Sequence, residues 1–491
     1  HRKFDSHSVR SAGIEPSELM RRRQFDVLLE AQLVNEEWPS KELDWLSKTL
    51  LKEGKGEEAD EAAKWGNVFG WGTVPIEVME KRARIDTDRT LRCHEVLWPK
   101  LEQQDLAGLW DAESAFTDVL HNMEREGVGV DTSFAERKLH EGRARMGDIE
   151  EQLDFKPTSS NLAPILFDEL GFPVLERSAK TGKPSLNKKV MEEYDQMLAA
   201  SGNHLAQLVL EYRGWQTACG LLYEPTLRLL SPDGRIRTNY NQHGTVTSRL
   251  SSNGPNMQQV PRKSEKPWNG DAKKMFNTGC DCCDLWGFDY SQLEFRLSAA
   301  YGGEKWLLDT FADPNADVFD NMSERIGAPR QTCKTFTYAN LYGAGLDKIA
   351  YTLGRPTNEI EALYENFLES IKHIKSASRR ASRLAEQRKF VRYWTGRRRH
   401  FVWDDGYHKA FNSLLQGGAA ELVKHAMLSC REVEESGQHG DCRMVLQVHD
   451  EIVFRIKKGR KDYYAPEIIK RMTNFPQFGV PLAVEGKIWN Q

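Results

Sequence analysis

Between Leu285 and Tyr301 a short apolar run, Leu-Trp-Gly-Phe, ends on Asp289, and Leu293, Leu297 and Ala300 then recur at three- and four-residue steps. The first pattern predicts a strand and the second an amphipathic helix. Asp289 therefore falls where a strand gives way to a helix, a rigid place to hold a carboxylate over a cleft; the competing reading is a solvated helix cap, with Ser291 as its rival. From Met444 to Ile456 two further apolar runs predict strands hinged at His449-Asp450-Glu451. Residues 132–230 read as mainly helical, with breaks at Gly171-Phe-Pro and Thr181-Gly-Lys-Pro. Residues 304–386 are helical again, interrupted near Gly354 and Pro356. Ser231-Pro-Asp-Gly signals a turn before a strand, Arg235-Ile-Arg-Thr-Asn-Tyr. Ile76 to Trp98 predicts a helix broken at Pro99, and Glu113 opens another that ends near Gly127-Val-Gly. The Glu-rich stretch Lys52 to Lys64 reads as an exposed loop, and a domain boundary falls close to Asp111. There is no repeat and no low-complexity segment.

The 491 residues are enough for two to four domains. No apolar run approaches the ~18 residues of a membrane helix, and no secretory signal is visible. The first residue is His1 rather than Met, so the start reads as processed or truncated. Eight Cys without a regular framework fit a reducing cytoplasm. Their densest group, Cys280, Cys282 and Cys283, has no second Cys or His pair at finger spacing and reads as ordinary thiols rather than a zinc site. A net charge of −4 argues against a simple nucleic-acid-coating protein. Its distribution says more: residues 371–400 carry eleven Lys or Arg against the single acid Glu386. Such a stripe attracts phosphate backbones through counterion release, although a solvated helix face is the competing reading. The acidic remainder confines binding to one basic channel.

The chemistry concentrates in three stretches. Asp289 ends one strand, and Asp450 and Glu451 occupy the turn between Met444-Val-Leu-Gln-Val and Ile452-Val-Phe. Apolar strands with an acidic tip call for a cation, because burying carboxylates is costly. Two aspartates on adjacent strands can hold a pair of Mg²⁺ ions about 3.5–4 Å apart, the arrangement of two-metal phosphoryl transfer. A His-Asp metal hydrolase at His449-Asp450 is the alternative, and it needs further His ligands that the chain does not space suitably. Arg330, Lys334, Tyr338 and Tyr342 then follow a four-residue step, so they share a helix face that ends at Gly343. Two cations followed by two rings suit a nucleoside triphosphate; the competing reading is a charged face merging into an aromatic core stripe. Finally, residues 245–261 hold Arg249, Asn256 and Gln258 in a polar Ser/Asn/Pro segment, able to contact phosphates and minor-groove edges or to be an ordinary loop.

In this order, Asp289-Tyr-Ser-Gln-Leu-Glu-Phe-Arg, Arg330 to Gly343 and Val448-His-Asp-Glu resemble motifs A, B and C of family A (bacterial polymerase I-like) DNA polymerases. Thr247-Ser-Arg-Leu-Ser-Ser with Pro255-Asn-Met-Gln resembles that family's template-primer segment. Tyr342-Gly-Ala-Gly and the tail Glu485-Gly-Lys are similar to the phage-replication branch. The resemblance covers about residue 113 to the end. It implies an α+β right-hand fold, with an antiparallel palm sheet at about 235–303 and 405–491, helical fingers at about 304–404 and a thumb at about 132–230. It implies that Asp289 and Asp450 hold two Mg²⁺ ions, for which Mn²⁺ can substitute, with the Tyr290 carbonyl as a further ligand and Glu451 beside them. Lys334 and Arg330 would bind the incoming dNTP and stabilise its developing charge. Glu294 would pack on the sugar with Tyr338 and leave no room for a 2′-hydroxyl, and Tyr342 would stack near the templating base. Arg249, Asn256, Gln258, Gln416 and His449, with Arg213 and Asn412, would contact primer-template DNA. The implied protein is a cytoplasmic monomer, in the bacterial host if phage-encoded, with phage replisome proteins as its further partners.

The chain departs from the pattern in places. Ser248 stands where the family often has Gly, and Asp317-Val318-Phe319 falls where Asp-Ile-His is usual, so a phosphate-contacting His is missing. Tyr338 in place of Phe resembles members that accept dideoxynucleotides. There is no room between Leu198 and Arg213 for the large thumb insertion that recruits a processivity factor in some phage relatives. Residues 1–112 resemble part of an α/β 3′–5′ exonuclease domain, with His1-Arg-Lys-Phe-Asp5 similar to its second motif and Arg82-Ala-Arg-Ile-Asp86 to its third. The first motif would precede residue 1, so weak or absent proofreading is expected. Two rivals remain. A single-subunit RNA polymerase is disfavoured by Glu294, and a catalytically silent DNA-binding or clamp-like protein by the intact Asp289 and Asp450.

Overall fold

The computed structural model describes residues 2–11, 24–54, 57–178, 180–199, 202–261, 265–402, 406–436 and 440–490. These divide into two units: residues 1–125, 240–251 and 287–487 in one, and residues 126–239, 252–286 and 488–491 in the other.

The first unit is organised around a hairpin. Cys442–Val448 and Glu451–Lys457 pair antiparallel from Val448 opposite Glu451 to Cys442 opposite Ile456, with a bulge between Val453 and Phe454. The turn is two residues long, and His449 within it has φ 58°, in the left-handed region. In the four-stranded sheet the order is Val484–Ile488, Cys283–Tyr290, Glu451–Lys457, Cys442–Val448, with Cys283–Tyr290 entering this unit at Gly287. The hairpin strands are buried on both faces, which is why they read as near-continuous apolar runs rather than alternating ones. Phe288 meets Phe454 edge to face across the sheet. The long helix Ala410–Ser436 packs on the Lys461–Thr473, Leu293–Gly302 and Lys372–Arg388 helices. Gly417 on that helix lies against the Tyr393 ring, so any larger residue there would run into the phenol.

Four readings of the sequence need correction. The Ile76–Gln103 helix runs through Pro99 rather than stopping before it. Cys93, Leu97 and Leu101 lie on one buried face of it, and that burial offsets the hydrogen bond proline cannot make. The stretch taken as a loop from Lys52 to Lys64 becomes helical at Glu57, in a Glu- and Ala-rich segment whose Ala62 is fully buried. The helix through Asp111 and Glu113 opens earlier, at Ala107. Residues 1–112 contribute only helices among the described residues, not the strands of an α/β domain; their apolar residues recur at helical spacing.

In the second unit Val128–Val130 pairs antiparallel with Arg235–Ile236 on one side and Phe276–Asn277 on the other. The Arg235 guanidinium donates to the carbonyls of Glu126 and Thr278, at 3.1 and 2.9 Å, tying the three strand ends together. Helices Lys188–Ala199 and Leu205–Ala218 share a core of Leu162, Leu166, Val190, Met191, Tyr194 and Val209. The cysteines differ from expectation: Cys280 and Cys282 are joined as a disulfide, with the Cys283 sulfur 3.5 Å from that of Cys282. The chain turns back on itself just before Cys283–Tyr290 begins, and so brings three thiol positions within 4.8 Å of one another.

Candidate active site

Asp289 is the penultimate residue of Cys283–Tyr290, and Asp450 sits in the turn before Glu451–Lys457, its neighbour in the sheet. Both aspartates are half-buried, and Glu451, the first residue of its strand, is buried. The helix after Asp289 starts at Leu293, and its N-cap position is Gln292, so neither Asp289 nor Ser291 caps it. The Tyr290 side chain is buried, and its hydroxyl donates to the Met472 carbonyl at 2.6 Å. Burial, and then the charges of Cys430 and Asp450, drive its hydroxyl well above the usual phenol range. Carboxylates and backbone carbonyls at strand ends are hard oxygen donors, of a kind that suits Mg²⁺ rather than softer metals.

Glu294 lies in the first turn of Leu293–Gly302, only 7% exposed, where it pairs with the Arg249 guanidinium. The Tyr342 hydroxyl faces the same carboxylate. Burial first, then the Glu294 charge, push that hydroxyl far up, with Asp450 adding to the effect. Asp450, Tyr342, Glu294 and Arg249 thus form one electrostatic neighbourhood.

The Arg330–Leu341 helix presents the expected face. Lys334, Tyr338 and Tyr342 line a cavity of about 390 Å³. Chain reversal at Gly343, whose φ is 74°, brings Lys348 and Thr352 of the Leu346–Leu353 helix to the same cavity. Lys348 was not anticipated; it falls outside the four-residue repeat, and only the reversal brings it in. Arg330 does not line this cavity. Its guanidinium pairs with Asp317 at 2.6 Å and Asp320 at 3.1 Å and lies over Phe319. Burial would raise the Asp317 carboxyl, but the Arg330 hydrogen bond and the Asp320 and Phe319 amides bring it below its usual value.

The DNA-contact candidates are dispersed. Asn412 and Gln416 are half-buried on one face of Ala410–Ser436, and His449 is exposed in the hairpin turn. In the second unit the Asn256 side chain accepts from the Gln258 amide at 3.1 Å and caps the short turn Met257–Gln259, so part of its hydrogen-bonding capacity is used locally. Arg213 donates to the Leu186 carbonyl. Asp5 is exposed on the Arg2–Ser11 helix, Asp86 pairs with Arg82 one turn away at 3.4 Å, and His1 lies outside the described residues.

The basic stripe is not one surface. Lys372, Arg379, Arg380, Arg383 and Arg388 are exposed on Lys372–Arg388. Arg397 is instead buried between Glu113 and Glu421, and Arg399 pairs with Glu36 and Glu37. Among the described residues no helix is long and apolar enough to cross a membrane.

The model of the family described as DNA polymerase family A matches residues 132–491. The chain is 28% identical over 522 residues to DNA polymerase I of Pseudomonas aeruginosa, an alignment covering 100% of this chain and 56% of that protein. It is 29% identical over 425 residues to the thermostable DNA polymerase I of Thermus aquaticus, covering 80% and 50%. The chain spans about half the length of the curated relatives it matches. The POL domain of Pol1 from M. smegmatis, solved in complex with DNA primer-template and dNTP, matches at a TM-score of 0.81 and 23% identity over 95% of this chain and 82% of that one. That likeness identifies the polymerase fold. With the family match running from residue 132 through both strand-end aspartates to residue 491, the chain belongs to DNA polymerase family A.

Proposed function

We propose that this chain is a template-directed DNA polymerase that extends a primer 3′ end with dNTPs, in phage DNA replication. The observation that carries the reading is one neighbourhood in which Asp450 acts on Tyr342, the last ring of the cation-and-aromatic helix face. Asp289 and Asp450, with the Tyr290 carbonyl, would hold two Mg²⁺ ions, which when bound stabilise the attacking and leaving oxygens of phosphoryl transfer. Lys334, joined by Lys348, supplies positive charge at the cavity for the triphosphate. Arg330 reaches the phosphates by exchanging its carboxylate partners for them. Tyr338 and Tyr342 offer faces to sugar and base. Glu294, held by Arg249 and Tyr342, is a fixed wall against a 2′-hydroxyl. Arg249, Asn256, Gln258, Gln416, Asn412, His449 and Arg213 serve the primer-template, and the basic face of Lys372–Arg388 adds sequence-independent attraction. Residues 1–112 are assigned to an exonuclease-like region and 113–491 to thumb, palm and fingers; the protein acts as a monomer. Tyr342-Gly-Ala-Gly and Glu485-Gly-Lys support the phage assignment.

The test is primer extension with Mg²⁺, alongside primer-template binding by fluorescence anisotropy. Wild type should extend, whereas Asp289→Asn and Asp450→Ala should each lose at least about 10²-fold in rate and keep their DNA affinity. Inactivity of all three proteins would favour a binding module instead. Substantial extension by either variant would overturn the metal assignment.

A further inference from the structure

The second unit holds a separate cavity of about 460 Å³, within the roughly 300–1,000 Å³ of small-ligand clefts. It shares no residue with the cavity along Arg330–Leu341. Lys188, Arg213 and Lys266 line it, and no carboxylate is among its lining residues. Lys188 also faces Glu192 one turn along its helix, at 3.6 Å; a concave site lined by three cations still favours an anion. Arg213 is half-buried and fixed by its hydrogen bond to the Leu186 carbonyl, and burial lowers its pKa from the ordinary value.

The remaining wall is aromatic and already ordered. The Trp268 indole lies against the helix backbone at Gly214, where a Cβ would run into the ring. The Trp268 carbonyl accepts from the Tyr223 hydroxyl at 3.1 Å, the ring meets Trp215 edge to face at 6.5 Å, and the Lys266 ammonium sits 5.5 Å from its centroid. An indole held on its backbone side loses little entropy on stacking with a base. Asn269, at the same cavity, can both donate to and accept from a base edge. We propose that this cavity binds a nucleoside phosphate, with the phosphate on Lys188, Arg213 and Lys266 and the base against Trp268. The ligand is either a free nucleotide or one unit of a DNA strand. The strand-unit arm rests on the primer-template role proposed for Arg213, the free-nucleotide arm does not, and the test reads binding alone.

Deoxyadenosine monophosphate is titrated calorimetrically into the full chain and its variants, and a labelled single-stranded oligonucleotide is followed in parallel by anisotropy. Lys266 and Lys188 are exposed, so Lys266→Gln and Lys188→Gln should fold normally, which circular dichroism checks. Each should weaken the nucleotide about ten-fold, the loss of one charge-assisted contact, while Lys189→Gln, one residue along the helix and outside the cavity, should not. Binding of the monophosphate identifies a free-nucleotide site. Selective loss of oligonucleotide affinity in the two cavity variants, with no monophosphate binding, assigns the site to a strand unit. If neither ligand distinguishes the cavity variants from Lys189→Gln, or if inorganic phosphate binds as tightly as the monophosphate, the proposal is overturned.

Discussion

Glu113 offers a strong single perturbation in the first unit. Its carboxylate accepts from Lys424 at 2.8 Å, from Arg397, and from the Gln242 amide at 2.8 Å. Arg397 and Lys424 also face Glu421, at 2.8 and 3.7 Å, and all four charged side chains are at most 5% exposed. Two buried cations therefore balance two buried carboxylates, tying the Ala107–Glu126 helix to the Phe390–His400 hairpin and to Ala410–Ser436. Glu113→Gln keeps the shape but leaves Arg397 and Lys424 sharing Glu421 alone. Breaking a buried pair from one side costs about 3–5 kcal/mol. The exposed Lys305–Asp309 pair, at 2.6 Å, should contribute about 0–1 kcal/mol, so Asp309→Asn is the control. Urea unfolding followed by circular dichroism measures the difference, compared at the transition that changes, since a chain of two units need not unfold in one step. Glu113→Gln combined with Lys424→Met restores charge balance and should recover more than about 1 kcal/mol. A single variant within about 1 kcal/mol of wild type, or a double variant no better than the single, would refute the reasoning. The pH dependence has a definite sign. Burial alone would raise the Glu113 carboxyl, but Lys424 and Arg397 outweigh it and hold the group below its usual value. Its contribution is therefore present above the unfolded value near 4.5 and is lost as pH falls through the lower folded value.

Glu30 should act in the opposite sense. Burial, then Asp26, push its carboxyl up to about 8, so its contribution is present below the unfolded value of 4.5 and lost as pH rises through about 8. Glu30→Gln should raise the melting temperature relative to wild type at pH 9 and change it little at pH 5; equal shifts at both would contradict this. Asp320→Asn removes one of the two carboxylates that occupy Arg330, so KM for dNTP should fall severalfold with kcat unchanged, and most clearly at low salt. An unchanged or raised KM would show that Asp320 does not compete with the phosphates. Tyr338→Phe should sharply lower chain termination by dideoxynucleotides, and an unchanged ratio in primer extension would dismiss the role given to its hydroxyl.

What the sequence by itself determined is local in origin. The strand ending at Asp289, the hairpin around Asp450 and the shared face of Lys334 and Tyr338 follow from short apolar runs, period-3.6 spacing and turn residues, all acting over a few positions. Their order along the chain was enough to suggest the family. The fate of individual charges was not readable this way. Arg397 belongs to a run that looks like a DNA-binding stripe, yet it is buried because its partner Glu113 lies 284 residues earlier. Pro99 carries a break signal, but the burial of Leu97 and Leu101 against distant residues outweighs it. The grip of Asp317 and Asp320 on Arg330, of Arg249 on Glu294, and of Gly214 on Trp268 likewise depend on packing between segments far apart in the chain. Local pattern sets which elements form; only their packing decides which charges meet water, which meet each other, and which are left facing a cavity.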